Sequence, residues 1–161
     1  MWKKILLPCL RSEVRETVYL GVHNKIPVEE RLFRINLSND PYCHFCLDAD
    51  DALICDLEHV FCLCRKVSDV WEEMRKLLEK MVHGYISNIK YLSLQFDSED
   101  FEKETVWLIA SYMHEVWVNF QRKGTEQLSR DLLFGFLKFK FKKEQLGART
   151  LLKNIPGLFD L

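Results

Sequence analysis

The chain has 161 residues, of which 48% are hydrophobic and 12% aromatic, with only six glycines and four prolines. This composition predicts one folded domain with a packed core and argues against a disordered or collagen-like chain. The formal net charge of −1 argues against binding of polyanions through overall charge. Because we find neither a membrane-length apolar run nor a secretory signal, we expect a protein of the nucleus or cytoplasm with no membrane partner.

Two helices are predicted in the first quarter of the chain. Valines four residues apart predict a helix with one buried stripe between Ser12 and Val22, with Ser12 as a suitable N-cap. Pro27 suits the first position of a second helix, which has glutamates in its first turn and ends near Leu37.

A turn-forming segment then leads into residues with the spacing of metal ligands. Cys43 and Cys46 form a Cys-x2-Cys pair, His59 follows after twelve residues and Cys64 after four more. Three thiolates and one imidazole fill a tetrahedron, so this pattern predicts a single structural zinc ion, with a helix beginning near His59. In a chain without a signal segment, cysteines in such a pattern are expected to be reduced.

The spacing leaves other choices open. Cys62 could replace Cys64, because His59 and Cys62 are three residues apart and would share one face of an α-helix. His44 and Cys55 are further candidate ligands. The same residues would also suit reduced core cysteines and a capping histidine, with no metal bound.

The rest of the chain is predicted to be mostly helical. A helix capped by Ser68 closes at Gly84, and the loose alternation over 89–96 indicates a short strand or an extended connection. The strongest helical periodicity covers 98–123, and a last helix follows over 125–146. We therefore predict one domain, 1–161, a mainly α bundle around the zinc segment 41–66, with C-terminal helices over 98–146 and a tail over 147–161.

Charge is unevenly distributed along the chain. Between Asp40 and Glu79 there are ten acidic and four basic residues, whereas 138–153 has six basic residues and one acidic residue. Basic side chains interleaved with phenylalanines are typical of a surface that contacts phosphates and stacks on bases, although a helix with one buried side gives the same pattern. The candidate nucleic-acid contacts are Lys138, Lys140, Lys142, Lys143, Arg149 and Lys153.

Short motifs follow one another in a characteristic order: Val18-Tyr19, His23 to Pro27, Glu30 to Phe33, Cys43 to Cys46, Glu58 to Cys64, and Trp71. In order and distance they resemble the zinc-binding region that follows the reverse transcriptase domain in LINE-type (non-LTR) retrotransposon polyproteins. A later segment, from Trp107 to Trp117 and Arg122, is similar to an apolar helix near the end of those polyproteins. In that family the ligand set ends in His-x4-Cys, which implies Cys43, Cys46, His59 and Cys64 as the zinc ligands.

The resemblance implies a carboxy-terminal module, or a host protein derived from one, that helps to bind template RNA or target DNA. No carboxylate pair for polymerase chemistry occurs in the sequence, so we expect a non-catalytic chain. The acidic stretch between Asp40 and Glu79 is unfavourable for binding phosphates. It favours an alternative role in protein docking or self-association. An exposed face with Trp107, Tyr112 and Trp117, or the apolar tail 155–159, would then form the contact.

Overall fold

The computed structural model describes residues 4, 7, 10–47, 52–82, 86–96 and 102–122, and the structural statements below refer to these. They form five α-helices and one π-helical turn. In chain order these are α1 (Ser12–Val22), α2 (Glu29–Arg34), the π turn (His59–Leu63), α3 (Ser68–Met81), α4 (Asn88–Leu92) and α5 (Glu102–Gln121). The predicted fold class, mainly helical around a Cys-Cys-His-Cys loop, is confirmed.

The core is built around α5. Its residues from Thr105 to Met113 are all buried, and a helix that is apolar and buried all round lies inside a core. Helix α1 packs along α5, where Gly21 permits a close approach, because a Cβ at this position would collide with the terminal methyl of Met113. The π turn packs against both α3 and α5, so the loop that carries the cysteines joins the same core.

Three helices end with a non-glycine residue in the left-handed backbone conformation. Asn24, Asn36 and Leu94, which follow α1, α2 and α4, have φ angles of 50°, 58° and 55°. After α2, for example, Asn36 N–H donates to the Phe33 carbonyl at 3.0 Å and Leu37 N–H to the Leu32 carbonyl at 2.8 Å. This pair of bonds is the Schellman motif, which satisfies helix-end carbonyls and turns the chain away.

The left-handed conformation of Asn36 explains why α2 ends earlier than predicted. The structure begins α2 at Glu29 and ends it at Arg34, whereas the sequence placed it between Pro27 and Leu37. Asparagine is one of the few side chains that tolerate the left-handed conformation, so Asn36 stops the helix where a glycine was not present to mark its end.

The prediction of a strand or extended connection over 89–96 is wrong. Residues Asn88–Leu92 form α4, which begins after Ser87 and closes with the left-handed Leu94. Tyr91 and Leu92 are adjacent and both fully buried, which a two-residue alternation does not allow. Leu94 and Phe96, which follow α4, are also buried, and together with Leu92 they give the two-residue spacing that resembles a strand.

The other predicted helices lie close to those in the structure. Helix α1 covers the predicted 12–22, with Arg11 rather than Ser12 at the N-cap. Helix α3 starts at Ser68, with Val67 rather than the predicted Ser68 at the N-cap. Helix α5 lies within the predicted 98–123. The predicted stop at Gly84, the helix over 125–146 and the tail over 147–161 lie outside the described residues.

Candidate metal centre

The first cysteine pair sits at the end of a short two-stranded pairing. Tyr42 and Ile54 form an isolated antiparallel bridge, flanked by a hydrogen bond from Cys43 N–H to the Leu53 carbonyl at 3.0 Å. The chain then turns at once, with Cys46 N–H donating to the Cys43 carbonyl at 2.9 Å. This turn directs both thiols into the core, where Cys43 and Cys46 are almost completely buried.

The other two residues, His59 and Cys64, are joined by the π turn. In an α-helix, residues five apart are rotated by about 500°, so they lie roughly 140° apart around the axis. Here Cys64 N–H donates to the His59 carbonyl at 2.7 Å, the i to i+5 bond of a π-helix. The wider turn brings the imidazole and the thiol of this His-x4-Cys pair to the same side.

Together these side chains form a compact cluster with the dimensions of a tetrahedral site. The Cys64 sulfur lies 3.8 Å from those of both Cys43 and Cys46, and His59 Nε2 lies 3.5 Å from Cys46 Sγ. All four donor atoms lie within 4.8 Å of one another. Metal–sulfur bonds of about 2.3 Å in a tetrahedron require sulfur–sulfur distances of about 3.8 Å, so the cluster fits a four-coordinate metal ion.

The thiols influence one another strongly in this buried space. The pKa of the Cys43 thiol lies far below its usual range, because the thiols of Cys55 and Cys64 donate hydrogen bonds to its sulfur. The same interaction, together with burial, raises the pKa of Cys55 and of Cys64. The thiol of Cys43 is therefore stabilised as the thiolate, the form of cysteine that binds metals, whereas the neutral thiol is favoured at Cys64.

The competing ligand choices are not part of the cluster. Cys62, two residues before Cys64, lines a separate cavity beside Trp71 and Asn88, and burial raises the pKa of its thiol. Cys55 is buried next to Cys43, but its sulfur is not among the four grouped donor atoms. The ring of His44 instead packs against Phe45, with centroids 3.9 Å apart.

Several residues that sequence reasoning missed hold the π turn in place. Asp56 Oδ1 accepts a hydrogen bond from His59 N–H at 2.7 Å, the contact of a helix N-cap. Asn88 on α4 donates to Glu58 at 3.0 Å and accepts from the Trp71 indole at 2.9 Å. Asp56 was recognisable as a capping residue, whereas Asn88 carries no local signal of its role.

A fourth contact comes from the central helix. The hydroxyl of Tyr112, on α5, donates to the Phe61 carbonyl within the π turn at 2.5 Å. Both residues are fully buried, and burial raises the pKa of the Tyr112 phenol well above its usual range. The phenol therefore stays protonated and supplies a partner to a carbonyl at a helix end, where the helix itself provides none.

The end of α5 covers the cysteine turn with aromatic rings. Phe120 packs edge-on against Phe45 with centroids 5.2 Å apart, and it stacks on Trp117 at 6.0 Å. The amine of Lys66 lies 5.5 Å from the centre of the Phe45 ring. The Lys66 side chain and the rings of Phe45 and Phe120 thus lie together beside Cys64.

The expected exposed face on α5 is wrong. Trp107, Tyr112 and Trp117 have exposed fractions of 1%, 0% and 7%, because α1, α4 and the π turn pack around this helix. These side chains belong to the core and are not available to a partner. The apolar tail 155–159 lies outside the described residues, as do the six basic candidates, Lys138, Lys140, Lys142, Lys143, Arg149 and Lys153.

No protein-family model, curated protein or solved structure matches this chain. The resemblance to LINE-type polyproteins therefore stays a hypothesis carried by the motifs themselves. Among the described residues, no helix is long and apolar enough to cross a membrane.

Proposed function

We propose that Cys43, Cys46, His59 and Cys64 hold one structural zinc ion. Three sulfur ligands with one imidazole, tetrahedral spacing and nearly complete burial support this choice of metal. A shell closed by four protein ligands has no position left for water or substrate. We therefore assign the ion a role in folding and assign the chain no catalytic activity.

We further propose that the chain is a nucleic-acid-binding module resembling the C-terminal part of a LINE-type polyprotein. The observation that carries this proposal is a cationic side chain, Lys66, whose amine lies over the Phe45 ring next to the cysteine turn. Arg65 and Lys66 directly follow Cys64, and exposed Arg122 follows the end of α5 that packs on the cysteine turn. Arginine and lysine next to aromatic rings are suited to phosphates and bases.

The basic segment 138–153 extends this proposal. Its six cations would add phosphate contacts that offset the acidic middle of the chain. The partner would be an RNA or a DNA, bound by a protein of the nucleus or cytoplasm. We assign no preference between the two nucleic acids.

The test is a titration of the zinc-loaded protein with a labelled structured RNA and a matched DNA duplex at two salt concentrations. We expect binding to weaken steeply with salt and to weaken in two variants, Arg65→Gln/Arg122→Gln and Lys140→Glu/Lys142→Glu. Loss of two phosphate contacts lowers the logarithmic salt slope by about two.

The matched control is Lys76→Gln/Lys103→Gln, which removes two exposed cations on α3 and at the opposite end of α5. This variant is expected to bind like the wild type. Absence of binding at low salt, or equal losses in the control and in the test variants, would refute the nucleic-acid role.

A further inference from the structure

A groove separate from the metal-binding cluster lies between α1, α2, α4 and the segment 54–58. Its volume is about 420 Å³, within the roughly 300–1,000 Å³ of ligand-binding pockets in proteins. Its apolar wall includes Ile54 and Ile89, which are 54% and 49% exposed. Half-exposed isoleucines in a concave surface leave apolar area for another molecule to cover.

The groove is also acidic. Its charged lining residues are Glu30, Asp56, Glu58 and Arg34, and Glu30 forms an ion pair with Arg34. Asp56 and Glu58 accept hydrogen bonds from the neutral donors His59 N–H and Asn88 Nδ2, so these contacts do not neutralise their charges. Two negative charges therefore stand beside the apolar wall.

We propose that this groove, which we call the acidic groove, binds a segment of a partner protein with arginine or lysine beside aliphatic side chains. The aliphatic groups cover the isoleucines and the cation contacts the carboxylates of Asp56 and Glu58. The negative charge of the groove repels a phosphate backbone, so charge complementarity favours a cationic peptide over a nucleic acid. The proposal does not depend on the proposed nucleic-acid role.

The probe is an end-capped, dye-labelled synthetic peptide of alternating leucine and arginine, and the measurement is fluorescence anisotropy. We expect binding that weakens with salt, and loss of binding when every arginine is replaced by uncharged citrulline. An equal affinity for the citrulline peptide would overturn the charge assignment.

The decisive variant is Asp56→Asn/Glu58→Gln. Both substitutions remove charge but keep the oxygen that accepts the hydrogen bond, so the π turn and metal content should be preserved. We expect affinity for the arginine peptide to fall about fivefold or more, since each exposed ion pair contributes modestly. The control Glu13→Gln/Glu16→Gln removes two charges from the first half of α1, away from Gly21 and Val22 in the groove.

A third arm tests whether the chain fills the groove itself. The variant Lys138→Glu/Lys140→Glu/Lys142→Glu reverses three of the six positive charges in the chain's own basic segment, 138–153, and we expect it to bind the peptide as the wild type does. If this variant binds the peptide and the wild type does not, the chain's own basic segment occupies the groove in the wild type. That result would overturn the assignment to a partner. The proposal would also fail if the peptide does not bind, or if it binds equally to the Asp56→Asn/Glu58→Gln variant.

Discussion

One backbone hydrogen bond, from Cys64 N–H to the His59 carbonyl, determines which cysteine is the fourth residue of the cluster. With α-helical geometry the thiol three residues after His59, that of Cys62, would lie on the histidine's side. The π turn places Cys64 there instead, and Cys62 faces the cavity beside Trp71. Two buried cysteines separated by one residue therefore have different environments and different expected roles.

This difference predicts that serine substitution weakens metal binding at Cys64 but not at Cys62. Cys64→Ser should lower zinc affinity by more than the roughly 10- to 100-fold that loss of a hydrogen bond to a metal ligand costs. Cys62→Ser should leave the affinity and the stoichiometry of one ion unchanged. Competition with a chromogenic chelator measures both, and an equal or larger loss in Cys62→Ser would contradict the assignment.

At the scale of elements, the contacts that hold the π turn come from distant parts of the chain. The Tyr112 hydroxyl reaches the Phe61 carbonyl across 51 residues, and Asn88 reaches Glu58 across 30. The clustering of the cysteines and histidine could be predicted, because ligand chemistry imposes short characteristic spacings. The π turn could not, because helix class here depends on long-range partners that periodicity does not encode.

The length of each helix explains whether its position could be predicted. Helices α1 and α5 have long apolar patterns, and their positions followed from the sequence. Helix α4 has five residues, too few for a repeating pattern, and its end depends on Leu94 in a conformation that leucine rarely adopts. Burial of Leu94 in the core explains how such a conformation persists.

The Tyr112 contact predicts a measurable loss of stability. Tyr112→Phe keeps the buried ring but leaves the Phe61 carbonyl without its hydroxyl donor, so the free energy of unfolding should fall by about 1–3 kcal/mol. Urea denaturation of the metal-loaded protein measures this loss. The control Tyr42→Phe alters a side chain that is 39% exposed and should change stability by less than about 0.5 kcal/mol. Equal stability of Tyr112→Phe and the wild type would show that this hydrogen bond adds nothing.

At the scale of the whole molecule, the candidate metal ligands Cys43, Cys46, His59 and Cys64 are part of the buried interior. Cys43, Cys46 and Cys64 belong to the same buried cluster as the central residues of α5. The π turn between His59 and Cys64 packs against α3 and α5. A metal ion at this position therefore connects the cysteine loop to the helices that make up most of the buried apolar surface.

Metal removal should consequently destabilise the whole domain and not only the loop. In zinc modules metal binding contributes on the order of 10 kcal/mol to folding, and 1 kcal/mol shifts the melting temperature of a domain this size by roughly 2–4 °C. We expect a strong chelator to lower the melting temperature by at least about 10 °C. Far-ultraviolet circular dichroism should report this shift together with the fluorescence of tryptophan, since Trp71 and Trp107 are buried in α3 and α5. An unchanged melt after metal analysis confirms complete removal would show that the core folds without the ion.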